Sequence, residues 1–164
     1  MKIRDISIRL AGVLLGTALA ASGCGGGETH EFHNTGRACL FPGATPITDP
    51  FLFVVPEPAP QYFGPDGVAT VAVFLRCMSS TCTVEGSASA SCTVERIGGE
   101  LRVEAQGSYR DTGANACSTD CRPLTAQCVT APIPEGMVAF EYAGESTVLV
   151  VPSTVPPPCV ESSP

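Results

Sequence analysis

Cys92-Thr93-Val94-Glu95-Arg96-Ile97-Gly98-Gly99-Glu100-Leu101-Arg102-Val103-Glu104-Ala105-Gln106 carries its own register. A two-residue hairpin turn needs positive φ at its centre, which glycine adopts without a Cβ clash, so Gly98-Gly99 reads as the turn. Counting outward, Val94 opposes Val103, Cys92 opposes Ala105 and Glu95 opposes Arg102. One face of the ribbon is then small and apolar, while the other carries Thr93, Glu95, Arg102 and Glu104. That is the alternation of an antiparallel pair with one face buried, and it includes a cross-strand charge pair.

The same pattern recurs on both sides. Met137 to Pro152 reads as a second hairpin; with Gly144-Glu145 in the turn, Phe140 opposes Leu149 and Val138 opposes Val151 on one face. Upstream, Val68 to Arg76 alternates as a strand with Val71, Val73, Leu75 and Cys77 on one face, and Met78 to Thr81 as its turn. That placement allows a hairpin-closing bridge between Cys77 and Cys82. Phe51 to Val55 has strand character, and Pro56, Pro58, Pro60 and Pro65 make the run to Gly67 a loop with polyproline character. Thr83 to Ser91 is small and polar, an edge strand or a loop. Asp111 to Pro123 is nearly devoid of apolar residues and reads as a long loop. Pro156-Pro157-Pro158-Cys159 is a stiff tail stapled by its cysteine. Beyond residue 23 no helical periodicity is sustained, so the fold class expected is all-β: a single antiparallel β-sandwich over residues 38–164.

The N-terminus is of another kind. Met1 to Leu10 carries Lys2, Arg4 and Arg9 against Asp5, and the apolar, charge-free run that follows covers about twelve residues, Leu10 to Ala21. Such a run is short of the roughly 20 residues that span a bilayer, which makes it the apolar region of a secretory signal. It ends in Leu19-Ala20-Ala21-Ser22-Gly23-Cys24, which resembles the lipobox of bacterial lipoproteins. The resemblance implies cleavage after residue 23 and acylation of Cys24, a lipid anchor that is the chain's membrane contact. With Gly25 next, where an aspartate would be the retention signal, outer-membrane delivery is implied. Residues 24–37 then form the lipidated cysteine and a glycine-opened, polar, flexible tether. Both histidines, His30 and His33, fall in this tether as H-x-x-H around Glu31, where an extended chain does not pre-organise metal ligands.

Nine cysteines less Cys24 leave eight: Cys39, Cys77, Cys82, Cys92, Cys117, Cys121, Cys128 and Cys159. An even number suits an exported, oxidised chain, although spacing does not choose the pairing. Cys117, Cys121 and Cys128 lack the second close pair of a structural zinc site, so disulfides are the stronger reading. With no Trp and a small-residue run at Ser87 to Ser91, the core should be thin and the bridges a large part of stability.

Loss of residues 1–23 subtracts three basic residues and one acidic residue, moving the formal charge from -7 to -9. Six arginines remain and no lysine, a balance that argues against nucleic acid, which is bound through clustered positive charge. No G-x-S-x-G, H-E-x-x-H or Walker motif is present, and no histidine follows His33. Neither a cofactor nor a metal ion is expected, since Asp111, Asn115 and Asp120 lack the calcium-loop spacing. The first expectation is a non-enzymatic envelope module whose 111–128 loop meets a protein or glycan partner. The alternatives are a protease inhibitor presenting that loop, or a hydrolase using carboxylates such as Glu95, Glu104 or Asp111. Pro134-Glu135-Gly136, a strand ending in Tyr142, a glycine turn and Val148 to Pro152 resemble the closing strands of immunoglobulin-like sandwiches of bacterial envelope proteins.

Overall fold

The computed structural model describes residues 27–47, 63–156 and 158–163. The expected signal segment, Cys24, and the strand expected at Phe51 to Val55 with Pro56, Pro58 and Pro60 lie outside these residues. The described residues form β1 (Thr29–His33), β2 (Arg37–Pro42), β3 (Ala69–Met78), β4 (Ser89–Ile97), β5 (Glu100–Arg110), β6 (Arg122–Val129), β7 (Gly136–Tyr142), β8 (Glu145–Val151) and β9 (Cys159–Glu161). The fold is all-β, in two sheets.

The first sheet is built on β5, the longest strand. β4 pairs along one edge of it in the register read from the sequence, with Val94 opposite Val103, Cys92 opposite Ala105 and Glu95 opposite Arg102. The other edge is shared: β7 runs parallel to Glu100–Val103, and β1 runs antiparallel to Gln106–Arg110. Asn34 fills the gap between them. Its N–H donates to the Ala105 carbonyl and its Oδ1 accepts from the Ala105 N–H, both at 2.8 Å, so a side chain supplies a missing ladder rung. The β5–β7 pair corrects the expectation of a purely antiparallel sandwich.

β1 corrects the tether. Residues 29–33 are a strand of the sheet, with Phe32 packed against the core and opposite Gly107. Five polar-rich residues whose partner lies more than seventy positions away give no local signal of pairing.

β8 extends the sheet beyond β7. Its turn is Ala143-Gly144, both at positive φ (55° and 83°), rather than Gly144-Glu145. Phe140 therefore faces Thr147, and Val138 faces Leu149. A slip of two residues keeps the side-chain parity, and Val138, Phe140, Leu149 and Val151 are all buried as expected.

The second sheet runs β6-β3-β2-β9, all antiparallel. Val71, Val73 and Leu75 face the core, but a bulge between Phe74 and Arg76 inserts one residue into β3. Parity then flips, burying Met78 and turning Cys77 to solvent. One continuous core joins both sheets, with Leu40, Val71, Val73 and Ile133 against Leu101, Val138, Phe140 and Tyr142.

All eight described cysteines are bridged. Cys39–Cys159 ties β9 to β2, and Cys92–Cys128 links β4 of one sheet to β6 of the other across their adjoining edges. Cys77–Cys121 and Cys82–Cys117 complete the set, so Cys77 and Cys82 do not join each other. The bulge explains this: Cys77 sits opposite Pro123, beside the start of β6, where Cys121 is the near thiol.

Candidate functional site

Three surfaces hold the chain's chemistry, and they occupy different parts of the molecule. At the Arg110 end of β5, the segments 77–82 and 117–121 face each other as the rungs of a ladder closed by the two nested bridges, with Cα separations of 5.1 and 5.3 Å. Between the bridges lies a hydroxyl network. Ser79 Oγ meets Ser118 Oγ at 2.8 Å, the Ser118 N–H donates to Thr81 Oγ1 at 2.8 Å, and Asp120 accepts from the Ser118 hydroxyl and the Ser80 N–H. Those hydrogen bonds, the Ser118 hydroxyl first, hold the Asp120 carboxyl below its ordinary range. The loop nominated from sequence is thus a rigid, doubly stapled end, with Thr112 to Cys117 exposed.

Asp111 ties this end to the N-terminal strand. His30 Nε2 lies 2.9 Å from Asp111 Oδ2, the Glu28 N–H donates to Oδ1 at 3.1 Å and the Gly113 N–H donates to the same oxygen at 3.0 Å. The His30 contact leads the effects that hold the Asp111 carboxyl below its usual value. The His30 ring also packs at a tilt against Tyr109, with centroids 4.9 Å apart. Asp111 is therefore a clamp for β1 rather than a free carboxylate. His33, three positions on, points to the opposite face of the strand, so the H-x-x-H pair is split by strand parity.

Along the outer face, Glu31, Ser89, Ser91, Gln106 and Ser108 line a shallow depression of about 260 Å³. A smaller one of about 90 Å³ is lined by Thr93, Glu95, Arg102 and Glu104. Glu95 and Glu104, the carboxylates weighed as a catalytic pair, share this open, solvated face. Arg102 sits opposite Glu95 yet turns away from it. Its Nη2 lies 2.9 Å from Glu100 and 3.4 Å from Glu141. Glu100 and Glu141 are the two carboxyls that perturb each other: their mutual hydrogen bond, ahead of Arg102, holds Glu100 below its ordinary value and raises Glu141. Sequence reasoning missed this pair because Glu141 reaches Arg102 only through the parallel β5–β7 pairing.

At the far end, beside the Gly98-Gly99 turn, the outer face becomes apolar. Met137 is 78% exposed and faces Val150 (54%), while Val148 (60%) faces Ala139, which pairs with Glu100. Ile97, 52% exposed, closes this patch from β4.

Among the described residues no three His, Cys, Asp or Glu side chains converge as metal ligands, and none of their helices is long and apolar enough to cross a membrane. No family model, no curated protein and no solved structure matches this chain.

Proposed function

We propose that this protein is a lipid-anchored module of the bacterial cell envelope, held through acylated Cys24, which presents an immunoglobulin-like sandwich as a binding or structural surface and carries no catalytic centre. One observation carries the reading. The four bridges consume all eight other cysteines of the chain, which leaves Cys24, at the end of the lipobox-like segment, as the odd thiol. An oxidising compartment is what four disulfides require. The immunoglobulin-like description is supported by two sheets around one core with an inter-sheet bridge, Cys92–Cys128, at an edge.

The test is intact-mass measurement of the full chain made in a Gram-negative host. The expected species begins at Cys24, carries diacylglyceryl and amide-linked acyl groups, and has four disulfides. Cys24→Ser should leave the membrane fraction with its bridges intact. A wild-type chain retaining residues 1–23 and a free Cys24 thiol would overturn the assignment.

A further inference from the structure

We propose that the stapled end of the body rests on the bilayer surface, with a phospholipid headgroup seated against Arg122, so that the apolar end beside Gly98-Gly99 points away from the membrane. This rests on the acylation of Cys24 proposed above. Only Gly25 and Gly26 lie between Cys24 and Gly27, so three residue steps give a reach of about 11 Å even when fully extended. At Gly27 the chain is already packed against the body. A Cβ there would lie 1.8 Å from the Asp111 carbonyl oxygen, and the next residue exchanges two hydrogen bonds with Asp111, its N–H to Oδ1 at 3.1 Å and its carbonyl from the Asp111 N–H at 2.9 Å. The body thus has almost no slack, and the part of it nearest the anchor is Asp111 with its neighbours. Those neighbours are residues 112–121, and the 79–83 segment that Thr83 bridges to Asp111.

The surface chemistry of this end differs from the rest. Thr112 to Thr119 carry no charged side chain. Asp111 and Asp120 are engaged by His30 and Ser118, whereas Arg110 and Arg122 are exposed with no ion-pair partner among the described residues. Glu28 and Glu85 are exposed here too, so the attraction is local and not one of net charge. Next to the bridges opens a hollow of about 520 Å³, lined among others by Met78, Thr83, Val84, Glu85, Arg122 and Pro123. Mixed polar and apolar walls with one guanidinium and one carboxylate match a zwitterionic headgroup, whose phosphate would take Arg122 and whose ammonium would take Glu85. The opposite end lies one length of β5 away, roughly 35 Å at the rise of an antiparallel strand, beyond reach of the headgroups.

The chain has no Trp, so single-Trp reporters are clean. The lipidated full chain would be reconstituted in vesicles of phosphatidylethanolamine and phosphatidylglycerol doped with a headgroup spin label. Two variants at exposed sites would be compared, Asn115→Trp and Ile97→Trp, each checked for four disulfides by mass. The expected result is severalfold stronger quenching at position 115 than at position 97, with the difference reduced by R122Q. Equal quenching at the two positions, with the lipid on Cys24 shown by mass, overturns the orientation and leaves the anchor standing. An unlipidated Cys24 in the membrane-fraction protein overturns the anchor reading, and the orientation falls with it.

Discussion

The phenol of Tyr142 donates a 2.6 Å hydrogen bond to the carbonyl of Thr35, and this contact pins the end of β7 to the connection between β1 and β2. Tyr142 is fully buried, and burial pushes its hydroxyl up to about 12. Tyr142→Phe removes this part-buried hydrogen bond while leaving the ring in the core, which should cost about 0.5–1.5 kcal/mol in urea denaturation. A raised phenol stabilises the fold while it stays neutral. That stability is complete below the ordinary value of 10.0 and is lost as pH climbs toward about 12. The Phe variant should therefore show a flatter alkaline limb, and an identical limb in both proteins would contradict the assignment.

The Asp111 clamp gives an acid limb of the opposite sign. Its carboxyl is held below 3.8, chiefly by His30. The stabilisation is present above that ordinary value and is lost as pH falls through the lower folded one. The amide protons of Glu28 and Gly113, both donors to Asp111, should shift together in an NMR titration with a midpoint below 3.8. In H30A that midpoint should move up. If the amides titrate at 3.8 or above in the wild type, the clamp is not engaged in solution.

Glu100 and Glu141 should titrate apart. Their shared hydrogen bond raises Glu141 above 4.5 and lowers Glu100 below it, so Glu141 takes the first proton on acidification. Arg102 favours the charged form of both, and R102Q should raise both midpoints in a carboxyl-carbon NMR titration. Coincident wild-type titrations at the ordinary value would remove the pair as a site of interest.

What the sequence made legible was local. Gly98-Gly99 dictates the β4–β5 register because two glycines and the alternating residues Cys92–Ile97 and Glu100–Gln106 all act within one hairpin. The β7–β8 hairpin kept its buried face but slipped by two, since Ala143 at positive φ competes with the more obvious Gly144-Glu145 turn. Non-local features were not legible. β1 is a polar pentapeptide that becomes a strand only because β5 offers it an edge. The partners of Cys77 and Cys82 were hidden by a one-residue bulge in β3. The Glu100–Glu141 pair, likewise, exists only because a parallel strand places β7 beside β5.

The inter-sheet bridge Cys92–Cys128 joins two edge strands that share no backbone ladder, with a sequence separation of 36. Closing a loop of that length should contribute about 3–4 kcal/mol through the unfolded chain. The double variant C92A/C128A should accordingly melt roughly 10 °C lower, with Cys39–Cys159 and the stapled end intact by mass. A melting point unchanged from wild type would show that the shared core alone holds the sheets together.

β8 is an edge strand whose residues from Ser146 to Val151 carry no charge, and no strand among the described residues pairs with its outer edge. Val148 and Val150 stand outward beside Met137. Edges of this kind recruit other chains through free backbone groups unless a charge blocks them. Val148→Lys places such a charge on the outer face, where no core contact is lost, so stability should stay within about 0.5 kcal/mol. Self-association at high concentration, followed by light scattering during slow heating below the midpoint, should fall clearly relative to wild type. The control is Thr93→Lys, on the outer face of β4 and remote from β8, which adds the same charge and should leave association much closer to wild type. If both lysines suppress association equally, net charge and not the β8 edge governs it.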